Sequence, residues 1–171
     1  MKEFYNNITK LNYIVRYSNT PRIKDETVAV HSFMVAAIIL KLHDEYYFNL
    51  ERAVLLAICH DIPEYDTNDV SHITKKKYPQ IRELLKKAER EALETMPLEV
   101  ASAFAEYAEQ ETVEAKITHL ADILQCSQYA GNEVQLGNVG HMQEVVELAR
   151  LRDYEMRLQL KKYRRKKNEE I

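Results

Sequence analysis

Residues that make turns and cross-links are scarce in this chain: its 171 residues include three glycines, four prolines and two cysteines. With so little Gly and Pro there is not much to punctuate a series of short strands, whereas Leu, Ala, Glu, Lys and Ile are plentiful and favour long helices. The expected fold class is all-α. The two cysteines, Cys59 and Cys126, form neither a disulfide framework nor a zinc-knuckle spacing, and both fall in apolar helical segments, which suits a reducing cytoplasm. Long apolar runs are missing too. The strongest, Val35 to Leu40 and Ala53 to Cys59, fall well short of the roughly 20 residues of a membrane span, and no export signal precedes them. Positive charge is not in excess either, with a net charge of -3 and a pI near 6.1. That balance offers no broad footprint for nucleic acid, so a phosphate-bearing ligand must be drawn by a local site, and small anions fit better than polymers. The length suits one domain with a real core, so residues 1–171 read as a single domain without internal repeat or linker.

What the chain does have is helical periodicity. Phe4, Ile8, Leu11 and Val15 predict a first helix over about Phe4 to Tyr17, ended by the polar run Ser18-Asn19-Thr20-Pro21. After a loop to about Asp25, a second helix is expected from Glu26 to Asp44, with Val28, Val35, Ile38, Ile39 and Leu42 on its buried side. His31 lies on that same side, one turn before Val35. Leu50 to His60 reads as a third, almost wholly apolar helix that Pro63 stops. The mixed stretch Glu64 to Lys77 is expected to be irregular or short-helical and to belong to an active site. Amphipathic helices follow over Pro79 to Thr95 and Leu98 to Ala108. Glu111 to Ala130 carries Val113, Ile117, Leu120, Ile123 and Leu124 inward, with Gly131 as the expected stop. A last helix, Val139 to about Arg165, closes the bundle.

Four polar side chains interrupt these apolar runs: His31, the adjacent His60 and Asp61, and Asp122. Singly, each has a bland explanation, a satisfied core histidine or a capping acid. Together, two imidazoles and two carboxylates make a mixed nitrogen and oxygen shell suited to one divalent transition metal, Mn, Co, Fe, Ni or Zn, rather than to calcium. Four protein ligands leave positions on an octahedral ion for water and a phosphoryl oxygen, which is hydrolytic chemistry. Neighbours on a helix diverge by about 100°, so His60 and Asp61 can share an ion only where the helix ends.

The segments VAVHSFMVA, LLAICHDIPE and ITHLADIL resemble the motifs of the HD-domain metallophosphohydrolases: a His on one helix, a His-Asp doublet ending another, a distant Asp in a later one. The likeness is to the bacterial 5'-deoxynucleotidase branch and extends from about Arg16 to Gly131. It implies an all-α HD-domain bundle with His31, His60, Asp61 and Asp122 as metal ligands. In HDIPEYDTNDV, Glu64 and Asp69 stand where that branch has its catalytic acids, while Asp66 reads as a solvated loop acid. Arg16 and Tyr17 match an Arg-aromatic pair that contacts the nucleotide, the Arg gripping phosphate and the ring pressing on the sugar face where a 2'-hydroxyl would sit. Lys75 is a further candidate phosphate contact. Three departures stand out: Tyr17 replaces a Trp, Val30 replaces a Glu before the first His, and His119 replaces a Lys. The Val30 change removes a hydrogen bond that could orient an imidazole, unless another residue supplies it.

The activity implied is removal of the 5'-phosphate of a deoxynucleoside monophosphate by in-line attack of a metal-bound water, in a cytoplasmic homodimer acting on small-molecule nucleotides, not membranes. Rival readings are a deoxynucleoside triphosphate triphosphohydrolase, a guanosine tetraphosphate hydrolase, which Tyr65 after Glu64 disfavours, and a non-catalytic nucleotide-binding module. Cys59 or Cys126 as a thiolate ligand is a further alternative, although buried thiols are more often inert. The basic run Lys161, Lys162, Arg164, Arg165, Lys166 and Lys167 reads as complementing the end of the last helix rather than as a nucleic-acid patch.

Overall fold

The computed structural model describes residues 1–165, on which nine α-helices are set out in order. They are α1 (Lys2–Lys10), α2 (Val28–Leu42), α3 (Leu50–Cys59), α4 (Glu64–Thr67), α5 (His72–Lys77), α6 (Pro79–Leu93), α7 (Leu98–Glu109), α8 (Val113–Gln135) and α9 (Gly140–Gln159). Among the described residues the only extended pairings are isolated bridges, Val15 with Thr27 and Tyr46 with Arg164. No helix there is long and apolar enough to cross a membrane.

Capping side chains set several helix starts. Thr27, Asn49, Ser71 and Thr112 each accept a hydrogen bond from a backbone N–H three residues on, opening α2, α3, α5 and α8; such caps contribute about 1 kcal/mol apiece. The 23-residue α8 is the spine, with α2, α3, α7 and α9 against it. One core joins Val35, Ile39 and Leu42 of α2, Ala53 and Ala57 of α3, Ile117, Leu120 and Ile123 of α8, and Ala149 and Met156 of α9. Each larger aliphatic buried there contributes about 1.5–3 kcal/mol. A second core, with Leu56, Cys59, Ile62, Leu93 and Val100, fastens α6 and α7 to α3.

Several expected boundaries differ from the structure, four of them instructively. The first helix stops at Lys10 instead of Tyr17, because the chain turns so that Arg16 N–H donates to Glu26 C=O at 2.9 Å and Val28 N–H to Ile14 C=O at 3.0 Å. Tertiary pairing here outweighs a helical apolar pattern. For the same reason α2 begins at Val28, after the Thr27 cap, and leaves Glu26 outside the helix. Gly131 does not stop α8, which continues to Gln135; a mid-helix glycine costs about 1 kcal/mol, and buried Glu133 and the Tyr129–Ala130 cluster outweigh it. The left-handed residue past that helix is Gly137, φ 104°. Finally, α9 ends at Gln159 and a short 3-10 turn spans Lys161–Tyr163, so the basic run does not end a continuous helix; Lys166 and Lys167 lie outside the described residues.

Candidate metal centre and cleft

Three helices deliver four donor groups to one spot. His31 occupies the first turn of α2 and is fully buried; His60 is the buried C-cap of α3. Asp61 follows in a turn closed by Ile62 N–H on Cys59 C=O, 3.2 Å, and there Asp61 Oδ2 reaches to 3.2 Å from His60 Nε2 and 3.5 Å from His31 Nε2. From the middle of α8, Asp122 Oδ1 lies 3.3 Å from His31 Nε2. The two Nε2 atoms are 3.3 Å apart, and His31, His60 and Asp122 each offer an atom within 4.8 Å of the others.

This spacing fits a cation. Ligands at about 2.1 Å from one ion stand about 3.0 Å apart at right angles and about 3.4 Å apart at tetrahedral angles, which brackets most of these separations. The ring hydrogens point elsewhere: His60 Nδ1 donates to Ala57 C=O at 2.7 Å and His31 Nδ1 to Gln125 Oε1 at 2.6 Å. The Nε2 lone pair of His60 therefore faces the carboxylates, the tautomer a metal ligand needs; at His31 the Gln125 oxygen favours the same tautomer, while the Arg16 guanidinium, a donor, also lies against Nδ1. Burial by itself would lower the His60 pKa, but Asp61 and Asp122 raise it. Burial likewise opposes ionisation of the two acids, yet His60 and His31 bring Asp61 down to about 2, and His31 and His60 hold Asp122 well below the usual carboxylate range. The cluster is built to hold positive charge.

A cleft of about 740 Å³ opens onto this cluster and is lined by Arg16, Tyr17, Asp61, Glu64, Asp69, Lys75, Asp122 and, from α9, His141, Leu148 and Arg152. Glu64 Oε2 is buried without a hydrogen-bond partner among the described residues, at a typical cost of about 1–3 kcal/mol. Burial, with Asp61 and Asp69 nearby, raises the Glu64 pKa well above the ordinary glutamate value. Asp69 accepts the Tyr17 N–H at 3.1 Å. That bond accompanies a left-handed backbone at Tyr17, φ 55°, and the Tyr17 ring stacks on Tyr129 with centroids 5.3 Å apart.

The structure thus brings nine sequence-selected residues, His31, His60, Asp61, Asp122, Glu64, Asp69, Arg16, Tyr17 and Lys75, to one metal cluster and its cleft. Asp66 is exposed and outside the lining. Arg16 has a second engagement: its Nη1 pairs with Glu26 Oε2 at 3.1 Å, donates to Gln125 Oε1 at 3.1 Å and lies against His31 Nδ1. Cys126 sits 3.5 Å from Asp122 Oδ1, but burial first and then Asp122 push its thiol up to about 11, so it is no thiolate. His119, whose pKa burial lowers, is half-buried between Arg152 Nη2 at 3.3 Å and the Tyr107 hydroxyl at 3.4 Å. Sequence reasoning missed Glu26, Gln125, Tyr107 and Arg152. The signal for Gln125 was present, a polar residue inside the apolar run Ile123-Leu124-Gln125; Arg152 gave none.

A family model described as 5'-deoxynucleotidase YfbR-like matches residues 3–163. The chain belongs to that family. Among YfbR-like relatives, a 5'-deoxynucleotidase of Pasteurella multocida is 28% identical over 151 residues, 81% of this chain and 77% of the relative. Another, from Photorhabdus temperata, is 32% identical over 114 residues, 61% of this chain and 58% of its own. A solved protein of Pyrococcus horikoshii superposes with a TM-score of 0.80 at 25% identity over 95% of both chains. An HD-domain phosphohydrolase of Listeria innocua does so with 0.76 at 21% identity, covering 92% of this chain and 81% of that one. The architecture is the all-α HD-domain bundle.

Proposed function

We propose that this YfbR-like chain is a metal-dependent phosphohydrolase that removes the 5'-phosphate of deoxynucleoside monophosphates, with residues 1–171 acting as one HD-domain unit in a cytoplasmic homodimer. One observation carries the reading: two imidazole nitrogens and two carboxylates, from α2, α8 and the end of α3, meet at the floor of a cleft whose wall carries Glu64 and Asp69. His31, His60, Asp61 and Asp122 are the ligands. A bound transition metal ion supplies Lewis acidity there, polarising a phosphoryl oxygen and lowering the pKa of a water.

The chain's own groups do the rest. Glu64, whose pKa burial and the neighbouring acids raise, is placed in the cleft to pass a proton to the leaving 5'-oxygen. Asp69, fixed by the Tyr17 N–H, accepts a proton from, or orients, the attacking water. The cleft cations Lys75, Arg152 and Arg16 offset phosphate charge. Arg152 has no carboxylate within 4.0 Å among the described residues, which leaves its charge available for an anion. The Tyr17 ring, braced by Tyr129, forms the surface for the sugar. A phosphate-release screen of the purified protein over deoxy- and ribonucleoside mono- and triphosphates, run with each of Mn, Co, Fe, Ni and Zn, tests this. Release of orthophosphate from deoxynucleoside monophosphates is expected; triphosphate released from deoxynucleoside triphosphates, or no turnover with any metal, would overturn it.

A further inference from the structure

We infer that Gln125, braced by Glu26 and Arg16, is a positioning residue that fixes the His31 imidazole for a divalent cation; the inference rests on the metal-site reading above. His31 is 0% exposed, so a ring N–H without an acceptor would be a buried unsatisfied donor, costly to keep. Its Nδ1 meets the acceptor Gln125 Oε1 at 2.6 Å, with Arg16 Nη1 also against that nitrogen. An amide can be turned end for end, and two further contacts decide its direction. Gln125 Nε2 donates to Glu26 Oε1, and Gln125 Oε1 also accepts from Arg16 Nη1 at 3.1 Å. Turning the amide would set its NH2 against the His31 N–H and the guanidinium, and its oxygen against the Glu26 carboxylate. The other Glu26 oxygen pairs with Arg16 Nη1 at 3.1 Å, so the carboxylate is itself held.

Most of this group is buried, with Gln125 3% and Glu26 7% exposed, while the Arg16 side chain is 12% exposed at the cleft. It also joins two parts of the fold. Arg16 and Glu26 come from the paired segments before α2, while Gln125 lies on α8 three residues after Asp122, on the same helical face. One helix thus presents a carboxylate ligand and the brace for an imidazole ligand together. Orienting partners of this kind typically change metal affinity by about 10- to 100-fold when removed. The polar group also explains why Glu26, a charged side chain, is buried beside the metal cluster without touching it.

The test titrates metal-free protein with Co²⁺ alone and follows visible absorption, with thermal unfolding as a check on folding. Gln125→Leu keeps bulk but removes the acceptor, and should weaken Co²⁺ binding by about 10- to 100-fold and alter the absorption envelope. Gln125→Glu sets two carboxylates side by side and should also weaken it. Combining Gln125→Glu with Glu26→Gln reverses the brace at constant charge and should restore most of the affinity. Cobalt binding to Gln125→Leu at parental strength would overturn the inference. If that variant does not fold, the comparison of Gln125→Glu with the double variant decides, and a double variant no better than the single overturns it. A parent that binds Co²⁺ yet releases no phosphate defeats the proposed function and leaves this inference standing; a parent that binds no divalent metal defeats both.

Discussion

Metal removal gives a stability change whose size follows from the donor cluster. The native cluster holds two buried imidazoles with the oxygens of two partly buried acids 3.2–3.5 Å from their Nε2 atoms, whereas the unfolded chain scatters them across positions 31 to 122. A cation therefore binds the native state far better than the unfolded one, and stabilises it by RT ln(1 + [L]/Kd), about 2.7 kcal/mol at a hundredfold excess over Kd. For a chain of this length about 1 kcal/mol moves Tm by roughly 2–4 °C, so the expected shift is about 5–11 °C. Calorimetric scans of protein stripped with chelator, then reloaded with Mn²⁺ or Zn²⁺ at that excess, measure it directly. Asp61→Ala should abolish the shift along with bound metal and hydrolysis. A shift that survives in Asp61→Ala and in Asp122→Ala would refute the reasoning, because the ion would then be bound elsewhere. The affinity should also fall as pH drops, since His60, with its raised pKa, takes up a proton that competes with the metal.

Glu64→Gln should keep the metal content of the parent and lose about 10²- to 10⁴-fold in kcat; an unchanged kcat in single-turnover assays would remove Glu64 from the chemistry. Arg152→Gln should raise KM for the nucleotide and weaken inhibition by orthophosphate with Tm unchanged, which steady-state kinetics will read. Glu133 ties the loop before α2 to α8 by accepting the N–H groups of Ile23 at 2.7 Å and Lys24 at 2.9 Å and the Asn138 amide at 2.9 Å. Glu133→Ala should therefore cost about 1–3 kcal/mol in urea denaturation. The Glu133 pKa is lowered because the opposing effect of burial is outweighed by those bonds. Its contribution is then complete above the ordinary glutamate value near 4.5 and is lost as pH falls through the lower folded-state value. A parental profile in that acid range identical to that of Glu133→Gln would contradict this.

The helical fold class, most helix centres, and the four metal-binding candidates were legible in the amino-acid order, because apolar periodicity and polar residues set into apolar runs are local signals. His31, His60 and Asp122 stood out for that reason, and Asp61 because it adjoins a histidine at a helix end. What was not legible depends on long-range partners. Lys10 ends α1 because residues 14–16 pair with residues 26–28, and no window around Lys10 contains that information. Gly131 reads as a stop in isolation, yet α8 runs through it because the neighbours of that helix reward its continuation. The orientation of His31 is the sharpest case. The chain alone specifies that an imidazole is present, but the partner of its Nδ1 is Gln125, 94 residues away, itself held by an Arg16–Glu26 pair that forms where residues 14–16 meet residues 26–28. Residue identity along the sequence set the available donors; burial, which makes every unpaired N–H expensive, left the packed fold to choose their directions.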